Sequence, residues 1–416
     1  MGITIVQKSD LTKKRPDAVK ALILAGGAVT GGSFKAGGIK ALNDYLVNFK
    51  VTDFDVYVGI SSGSLIAAPL MGGIKPESIL KSLDGTSHHF SALTRWHYYR
   101  PNIAEWVARP MTFLAKALSF PFKSGQPDFP SLMSILPSGV FDNRPIEQYL
   151  RENIEKNGLT NDFKMAERLT GKRLYICAMA LDGARRVIFG PDEKNDVTIS
   201  EAVQASTAMP GFYKPARIGG VDYVDGGVQE TANIDIAIKK GAELVVCYNP
   251  FRPYDPKKIE EKMNLSENGV MAVLNQIFRA VFHTRLHVAL DNFRNDPNFK
   301  GDIILIEPRP DDLAFFGLNP LIFSNRIEAA RLGFKSVRNS IDERFDEIAE
   351  IFAAYGIEMT RKGVEEEFKK IDKPGASENE VRALLEGLKK PEGRSQISEA
   401  RSQRSEAKRQ RKKSKK

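Results

Sequence analysis

The pentapeptide Gly59-Ile60-Ser61-Ser62-Gly63 leaves few options for the chain around it. The apolar run Val56-Tyr57-Val58 before it reads as a short buried strand, and Ser64-Leu65-Ile66-Ala67-Ala68 after it can open a helix. A G-x-S-x-G turn between a strand and a helix pushes its serine out of the backbone, with the hydroxyl above the sheet. Side chains at the flanking glycines would strike the neighbouring strand and helix. The helix start adds unpaired N–H groups and a positive dipole end beside the serine. Ser61 is therefore a candidate nucleophile, with Gly59 and Gly63 as its supports. The same five letters also fit an ordinary glycine-rich turn, so the assignment depends on what else the chain carries.

A second turn of this kind lies upstream. The apolar run Ala21–Ala25 enters Gly26-Gly27-Ala28-Val29-Thr30-Gly31-Gly32, and a helical pattern runs from Phe34 to Leu46. Such loops expose backbone N–H groups and bind anions. The dinucleotide fingerprint fails at Ala28, although Asp44 stands where its acidic residue would be. A phosphate loop would need Gly-Lys-Ser/Thr, which is absent. The remaining use is an oxyanion hole, with Gly26, Gly27, Ala28 and Gly31 as candidate backbone donors.

Downstream, Tyr223-Val224-Asp225-Gly226-Gly227 puts a carboxylate at a strand end before a glycine turn. The chain has five histidines: His88, His89, His97, His283 and His287. None sits in a loop that a Ser-His-Asp triad would use. His283 and His287 are spaced i, i+4 in an apolar helical pattern over 270–290 and read as surface or core-edge residues. Asp225 is then the candidate base, with Gly226 and Gly227 completing its turn.

This combination resembles the patatin-like phospholipase family. Ala205–Phe212 is similar to the segment before that family's catalytic aspartate. Asn233, Ala237 and Gly241-Ala242-Glu243 resemble the segment after it, and Asn319–Ser324 resembles the end of the domain in bacterial members. The match covers about 20–340. The resemblance implies a serine–aspartate dyad of Ser61 and Asp225, with Gly26, Gly27 and the adjoining turn as the oxyanion hole. The family usually reads G-G-G-x-Arg/Lys-G there. This chain has Ala28 for the third glycine and Val29-Thr30 where the basic residue belongs, with one extra residue before Gly37. Lys35 is nearby, but a solvated helix lysine fits the letters equally well.

Strand-like runs at 22–24, 56–59, 173–180, 186–189, 244–249 and 302–307 alternate with helical patterns at 34–46, 62–71, 144–156, 231–240 and 262–295. The expected fold is α/β, with a mainly parallel central sheet and helices on both faces in three α/β/α layers. The expected division is a polar lead-in over 1–19 and a catalytic domain over 20–340. C-terminal helices would come next over 341–388, then a disordered basic tail over 389–416. Residues 324–354 and 359–371 read as helices.

The tail holds twelve Lys/Arg against three Asp/Glu, which equals the whole-chain net charge of +9. Attraction to an anionic membrane surface and a merely solvated tail are both open. No specific nucleic-acid partner is expected, because nothing else in the chain supports one. Within Pro101–Lys123, Ile103, Trp106, Val107, Pro110 and Leu114 share a helical face beside Arg109 and Lys116. That fits an ordinary core helix, or a lid or membrane-interface helix with Trp106, Phe113 and Leu114 as its contacts. Cys177 and Cys247 read as buried small hydrophobes. No Cys, His and carboxylate cluster has metal-ligand spacing in the sequence, and no cofactor is implied. The first residues lack a basic segment leading into a long apolar core. A cytoplasmic enzyme acting on acyl lipids is therefore expected, with peripheral attachment to the inner face of the membrane left open. Acyl transfer by the same dyad and an impaired lipid-binding protein are the alternatives.

Overall fold

The computed structural model describes residues 2–87, 90–119, 132–256, 264–362 and 364. Strands β1 (Ile3–Gln7), β2 (Val19–Leu24), β3 (Val56–Ile60), β5 (Arg173–Ala180), β6 (Arg185–Phe189), β8 (Ala216–Ile218), β9 (Val221–Asp225), β10 (Ala242–Tyr248) and β11 (Asp302–Ile306) form the main sheet. A separate parallel pair joins β4 (Gly139–Phe141) to β7 (Gly211–Tyr213). The main sheet runs β1-β11-β10-β2-β3-β5-β9-β8, with β6 also on β5. The five central strands, β11 to β5, are parallel.

Beyond a charged residue at or near the start of four of them (Lys20, Arg173, Glu243 and Asp302), these strands are apolar because the sheet is covered on both sides. Alternate residues point to opposite faces. Leu22, Leu24 and Tyr57 meet Phe34, Ile66 and Phe334 from helices Ala28–Tyr45, Ser64–Met71 and Arg326–Glu343. Ala21, Ile23 and Val58 meet Ile234, Leu286 and Leu290 from helices Ile234–Lys239 and Gly269–Asn295 on the other side. This is the expected three-layer α/β/α architecture.

The pairing around β5 positions the site. Its residues 173–177 pair with β3, 178–180 with β9 and 176–180 with β6. Since β6 overlaps both others, β3 and β9 must share the opposite edge of β5, end to end. β3 runs parallel to β5 and stops at Ile60 opposite Cys177; β9 runs antiparallel and stops at Asp225 opposite Ala178. The two strands therefore meet at their C-terminal ends, one residue of β5 apart.

The structure departs from the sequence reading at both ends. Residues 3–7, expected in a loose lead-in, form β1, antiparallel to β11. The run is short, and its ordering depends on burying Ile3 and Val6 against a distant strand. The helix expected over 324–354 breaks at Arg344 into Arg326–Glu343 and Phe345–Ala354, and the second piece buries Ile348, Ile351 and Phe352 in the main core. Met359, expected to open a helix, instead bridges Leu46. The basic tail over 389–416 and most of the helices expected after 359 lie outside the described residues.

Candidate active site

Ser61 opens the turn that leaves β3, at φ +52°. A Cβ added at Gly63 would stand 2.0 Å from the Leu24 carbonyl oxygen, and one at Gly59 would stand 2.6 Å from Ser64 Cα. Both glycines are therefore steric requirements of the elbow. The Ser61 N–H donates to Ser206 Oγ at 2.8 Å, and Ser206 Oγ donates to the Cys177 carbonyl at 2.6 Å. Helix Ile199–Thr207 thus locks the elbow to β5. The chain then passes Ala208, whose carbonyl accepts from the Asp225 N–H at 3.0 Å. One short segment therefore fixes the ends of both converging strands.

Asp225 is buried, and burial raises its carboxyl to about 6. A hydrogen bond from the Ser61 hydroxyl, the Gly227 N–H and the charge of Lys35 pull the other way. The Gly227 N–H reaches Oδ1 at 2.8 Å. A Cβ at Gly226 would lie 2.3 Å from the Cys177 carbonyl oxygen, so the turn can pass β5 only as glycine. Arg285, from the long helix on the other face, donates to the carbonyls of Gly227 and Val228 and braces this turn.

The glycine loop lies alongside. A Cβ built on Gly26 would come 3.4 Å from Ser61 Cβ and 3.2 Å from the Phe251 ring. Among the described residues, the N–H groups of Gly26, Gly27 and Ala28 meet no protein acceptor. That of Gly31 does: it donates to the Gly27 carbonyl at 2.9 Å and closes the first helical turn. The N–H groups of Val29 and Thr30 are held by the Pro320 carbonyl at 3.0 and 3.1 Å. The candidate donors therefore narrow to Gly26, Gly27 and Ala28. Ala28 sits at φ +52°, the conformation that glycine would adopt freely there.

Thr30 is fully buried and carries no charge. A buried lysine stands in the next turn of the helix. Lys35 is fully buried, and its Nζ donates to the carbonyls of Ala25 and Gly26 and to Ser62 Oγ. Three acceptors match the three donors of an ammonium. Burial lowers Lys35 to about 7, opposed by the charge of Asp225. The sequence left Lys35 open; its lack of an acidic partner three or four residues away was the available signal.

Ser61 opens onto a cleft lined by Leu65, Ile146, Met209, Phe212 and Leu321, which adjoins an apolar pocket reaching Ile79, Leu83 and Phe90. None of the described histidines hydrogen-bonds Ser61 or Asp225. His97 accepts from the Thr94 N–H, while His283 and His287 both face Glu307. His88 and His89 lie outside the described residues. Trp106, Phe113 and Leu114 sit on helix Ile103–Ser119, and none of them lines the cleft. This is no core helix: Ile103, Trp106, Val107, Met111 and Leu114 are between 46% and 67% exposed. A second apolar face went unread in the sequence. Val270, Leu274, Ile277, Phe278, Val281 and Val288 of the long helix are between 40% and 69% exposed.

Fold and site together define an α/β/α protein with a serine elbow facing an aspartate across converging strand ends. The model of the patatin-like phospholipase family matches residues 22–238, slightly over half of the chain, and the chain belongs to that family. It is 25% identical over 227 residues to the probable lipid hydrolase 463L of Invertebrate iridescent virus 6, covering 54% of this chain and 65% of the viral protein. It is 26% identical over 172 residues to the uncharacterized protein YjjU of Escherichia coli K12, covering 40% of this chain and 44% of that protein. The matches thus span less than two thirds of either relative. Among solved structures, VipD from Legionella pneumophila aligns with a TM-score of 0.33 and 15% identity, covering 82% of this chain and 70% of that one.

Proposed function

We propose that this chain is a lipid acyl hydrolase that works through an acyl-serine intermediate. The observation that carries the proposal is the meeting of β3 and β9 on one edge of β5, with Ser61 and Asp225 at the junction. Ser61 Oγ attacks the ester carbonyl while Asp225 takes its proton. A carboxyl at about 6 is ionised at neutral pH yet basic enough to accept that proton. The N–H groups of Gly26, Gly27 and Ala28 receive the developing oxyanion, at the N-terminus of helix Ala28–Tyr45. Lys35 draws the Ala25 and Gly26 carbonyls behind the loop, which turns their peptides' N–H groups forward. The proton returns to the leaving alcohol, and Asp225 then activates water to release the acyl group.

The apolar cleft and its neighbouring pocket suit an acyl chain. The exposed faces of Ile103–Ser119 and Gly269–Asn295 suit a lipid surface, and positions 269–290 hold no acidic residue. No helix among the described residues is long and apolar enough to cross a membrane. We take the folded unit to run from Ile3 to Met359, wider than 20–340, because β1 and Phe345–Ala354 share its core.

A fluorophosphonate probe tests the chemistry. It should label one residue, located by mass spectrometry at Ser61, and no labelling there would sink the proposal. Vesicle co-sedimentation tests the surface. Trp106→Ser with Leu114→Ser should weaken binding to neutral vesicles. Truncation after Leu388 should weaken binding only to anionic vesicles at low salt, since the attraction is screened over about 8–10 Å. Unchanged binding in both variants would reject the assigned lipid face.

A further inference from the structure

We propose that His283, His287 and Glu307 form a binding site for a zinc-type divalent cation, separate from the Ser61 site. The histidines are four residues apart on one helix, but Glu307 follows only after the helix ends, just past β11, so the third ligand was not evident from spacing. The fold brings them together where the long helix crosses the ends of β10 and β11. The two histidines lie one turn apart, with ring centroids 4.0 Å from each other. His283 Nδ1 is 3.0 Å from Glu307 Oε1, and His287 Nε2 is 3.0 Å from Oε2. The three ligand atoms all lie within 4.8 Å of one another.

Two imidazoles and a carboxylate are the donor set that zinc takes, whereas calcium and magnesium prefer oxygen alone. Ligand atoms around tetrahedral zinc stand about 3.3 Å apart when its bonds are about 2.0–2.1 Å. With one carboxylate oxygen as ligand, its 3.0 Å pair would open by a few tenths of an ångström, and the remaining separations, within 4.8 Å, would close by up to about 1.5 Å. Glu307 is 2% exposed, while the histidine side chains are 23% and 34% exposed. The site is thus closed on its carboxylate side and open to solvent on its imidazole side, where a fourth ligand such as water would sit. The carboxylate is also held in place. The buried Asn249 donates to Oε1 at 2.9 Å, and the Glu307 N–H donates to the Gly2 carbonyl at 2.8 Å. Such outer partners orient metal ligands.

Without an ion, the ring nitrogens facing Glu307 serve as hydrogen-bond donors. In the metal-bound form each imidazole carries its proton on the outward nitrogen, and the inward lone pair takes the metal. No redox partner or other reactant is needed. The sheet order puts β11 three strands from β3, about 14 Å at the usual strand spacing, so the ion cannot touch the ester. Its reach is to the loop after β10. Pro250, next to Asn249, would be 2.8 Å from a Cβ at Gly27. A bound ion would hold the long helix and this loop together against the back of the glycine turn.

The test uses the full-length protein, stripped with a chelator and dialysed. ZnCl2 is titrated by calorimetry, and CoCl2 is added to read tetrahedral coordination from its visible absorption. One equivalent should bind, and the melting temperature should climb with zinc concentration. His287→Gln can still donate a hydrogen bond to Glu307 but is a poor zinc ligand. It should keep the metal-free melting temperature and bind zinc at least about 100-fold more weakly. If His287→Gln does not fold, His283→Gln supplies the same comparison. A wild type that neither binds one equivalent nor shifts its melting temperature would overturn the proposal. Equal zinc binding by wild type and variant would also overturn it, because the ion would then sit elsewhere.

Discussion

The turns that leave β2 and β3 each hold a non-glycine residue at φ +52°, Ala28 in one and Ser61 in the other. The two strands are parallel neighbours, and each turn leads into a helix. At Ser61 the strained backbone presents a side chain, and the hydroxyl is what the proposed reaction uses. At Ala28 the methyl group has no part in the proposed reaction, which would use the strain only to aim peptide N–H groups. A left-handed alanine or serine costs about 1–2 kcal/mol. The difference explains why one turn keeps its family letters and the other drifts. Where chemistry lives in a side chain, the residue type is fixed. Where it lives in the backbone, the letters can change while the dihedral is kept and a cation arrives from elsewhere.

If the elbow carries its function in a side chain, removing that side chain should have the largest effect. Ser61→Ala is expected to lower ester turnover by at least about 10⁴-fold, and Asp225→Asn by about 10³–10⁴-fold, with both proteins folded. Initial rates on a soluble short-chain ester, with circular dichroism as the folding control, measure this. Wild-type rates in Ser61→Ala would end the comparison, since the elbow would then be only a turn.

The loop should be sensitive instead to its buried cation. The proposed reaction uses Asp225 as carboxylate, so kcat/KM should rise with pH through about 6. It requires Lys35 as ammonium, so kcat/KM should fall through about 7. The profile is then a narrow bell. Lys35→Met should lower kcat by about 10²-fold, comparable to losing an oxyanion donor, and should remove the alkaline limb. It should also shift the acidic limb upward, because the charge that favours ionised Asp225 is gone. A variant with reduced rate but an unaltered profile would make Lys35 a packing residue only.

Ser206 connects the elbow to β5 without entering the chemistry. Ser206→Ala orphans the buried Ser61 N–H and should cost about 1–3 kcal/mol of stability. Turnover should fall by about tenfold as the nucleophile loses its fixed position. Chemical denaturation and kcat, measured on the same preparation, check both parts. Full activity with full stability would mean that the glycines alone hold the elbow.

The legible and illegible parts of the molecule divide along the same physical line. The strands β2, β3, β5, β10 and β11 could be read because burial on both faces leaves an apolar run in each, beyond any charged residue near its start. Ser61 and Asp225 could be read because glycines forced by close packing flank them. Lys35 was ambiguous, since a helix lysine is usually solvated and two of its three acceptors are carbonyls, which every residue has. Ser206 and Arg285 act across long sequence distances, and no local pattern encodes their partners; His283 and His287 are a local pair, but the buried Glu307 that faces them comes from another element. β1 was missed because its partner β11 lies almost the whole chain away, and the polar residues that follow it made the segment read as a loose lead-in. The exposed face of Gly269–Asn295 was missed for another reason. An apolar helix reads as core unless its neighbours are known.

The smallest expected effect falls on the residue that started the comparison. Ala28 holds glycine's conformation with a methyl group attached, so Ala28→Gly should release the strain. The unfolded chain gains freedom from the same change, which offsets part of the gain. The net stabilisation should therefore stay at or below about 1 kcal/mol. Turnover and its pH profile should not change, because the N–H directions are already those that a glycine would give. A Ser61→Gly substitution of the same geometric kind should likewise relieve strain while abolishing turnover. Thermal melts and kcat of the two variants, side by side, separate backbone function from side-chain function. If Ala28→Gly raised kcat several-fold, the alanine would be distorting the loop, and the missing third glycine would be a functional defect.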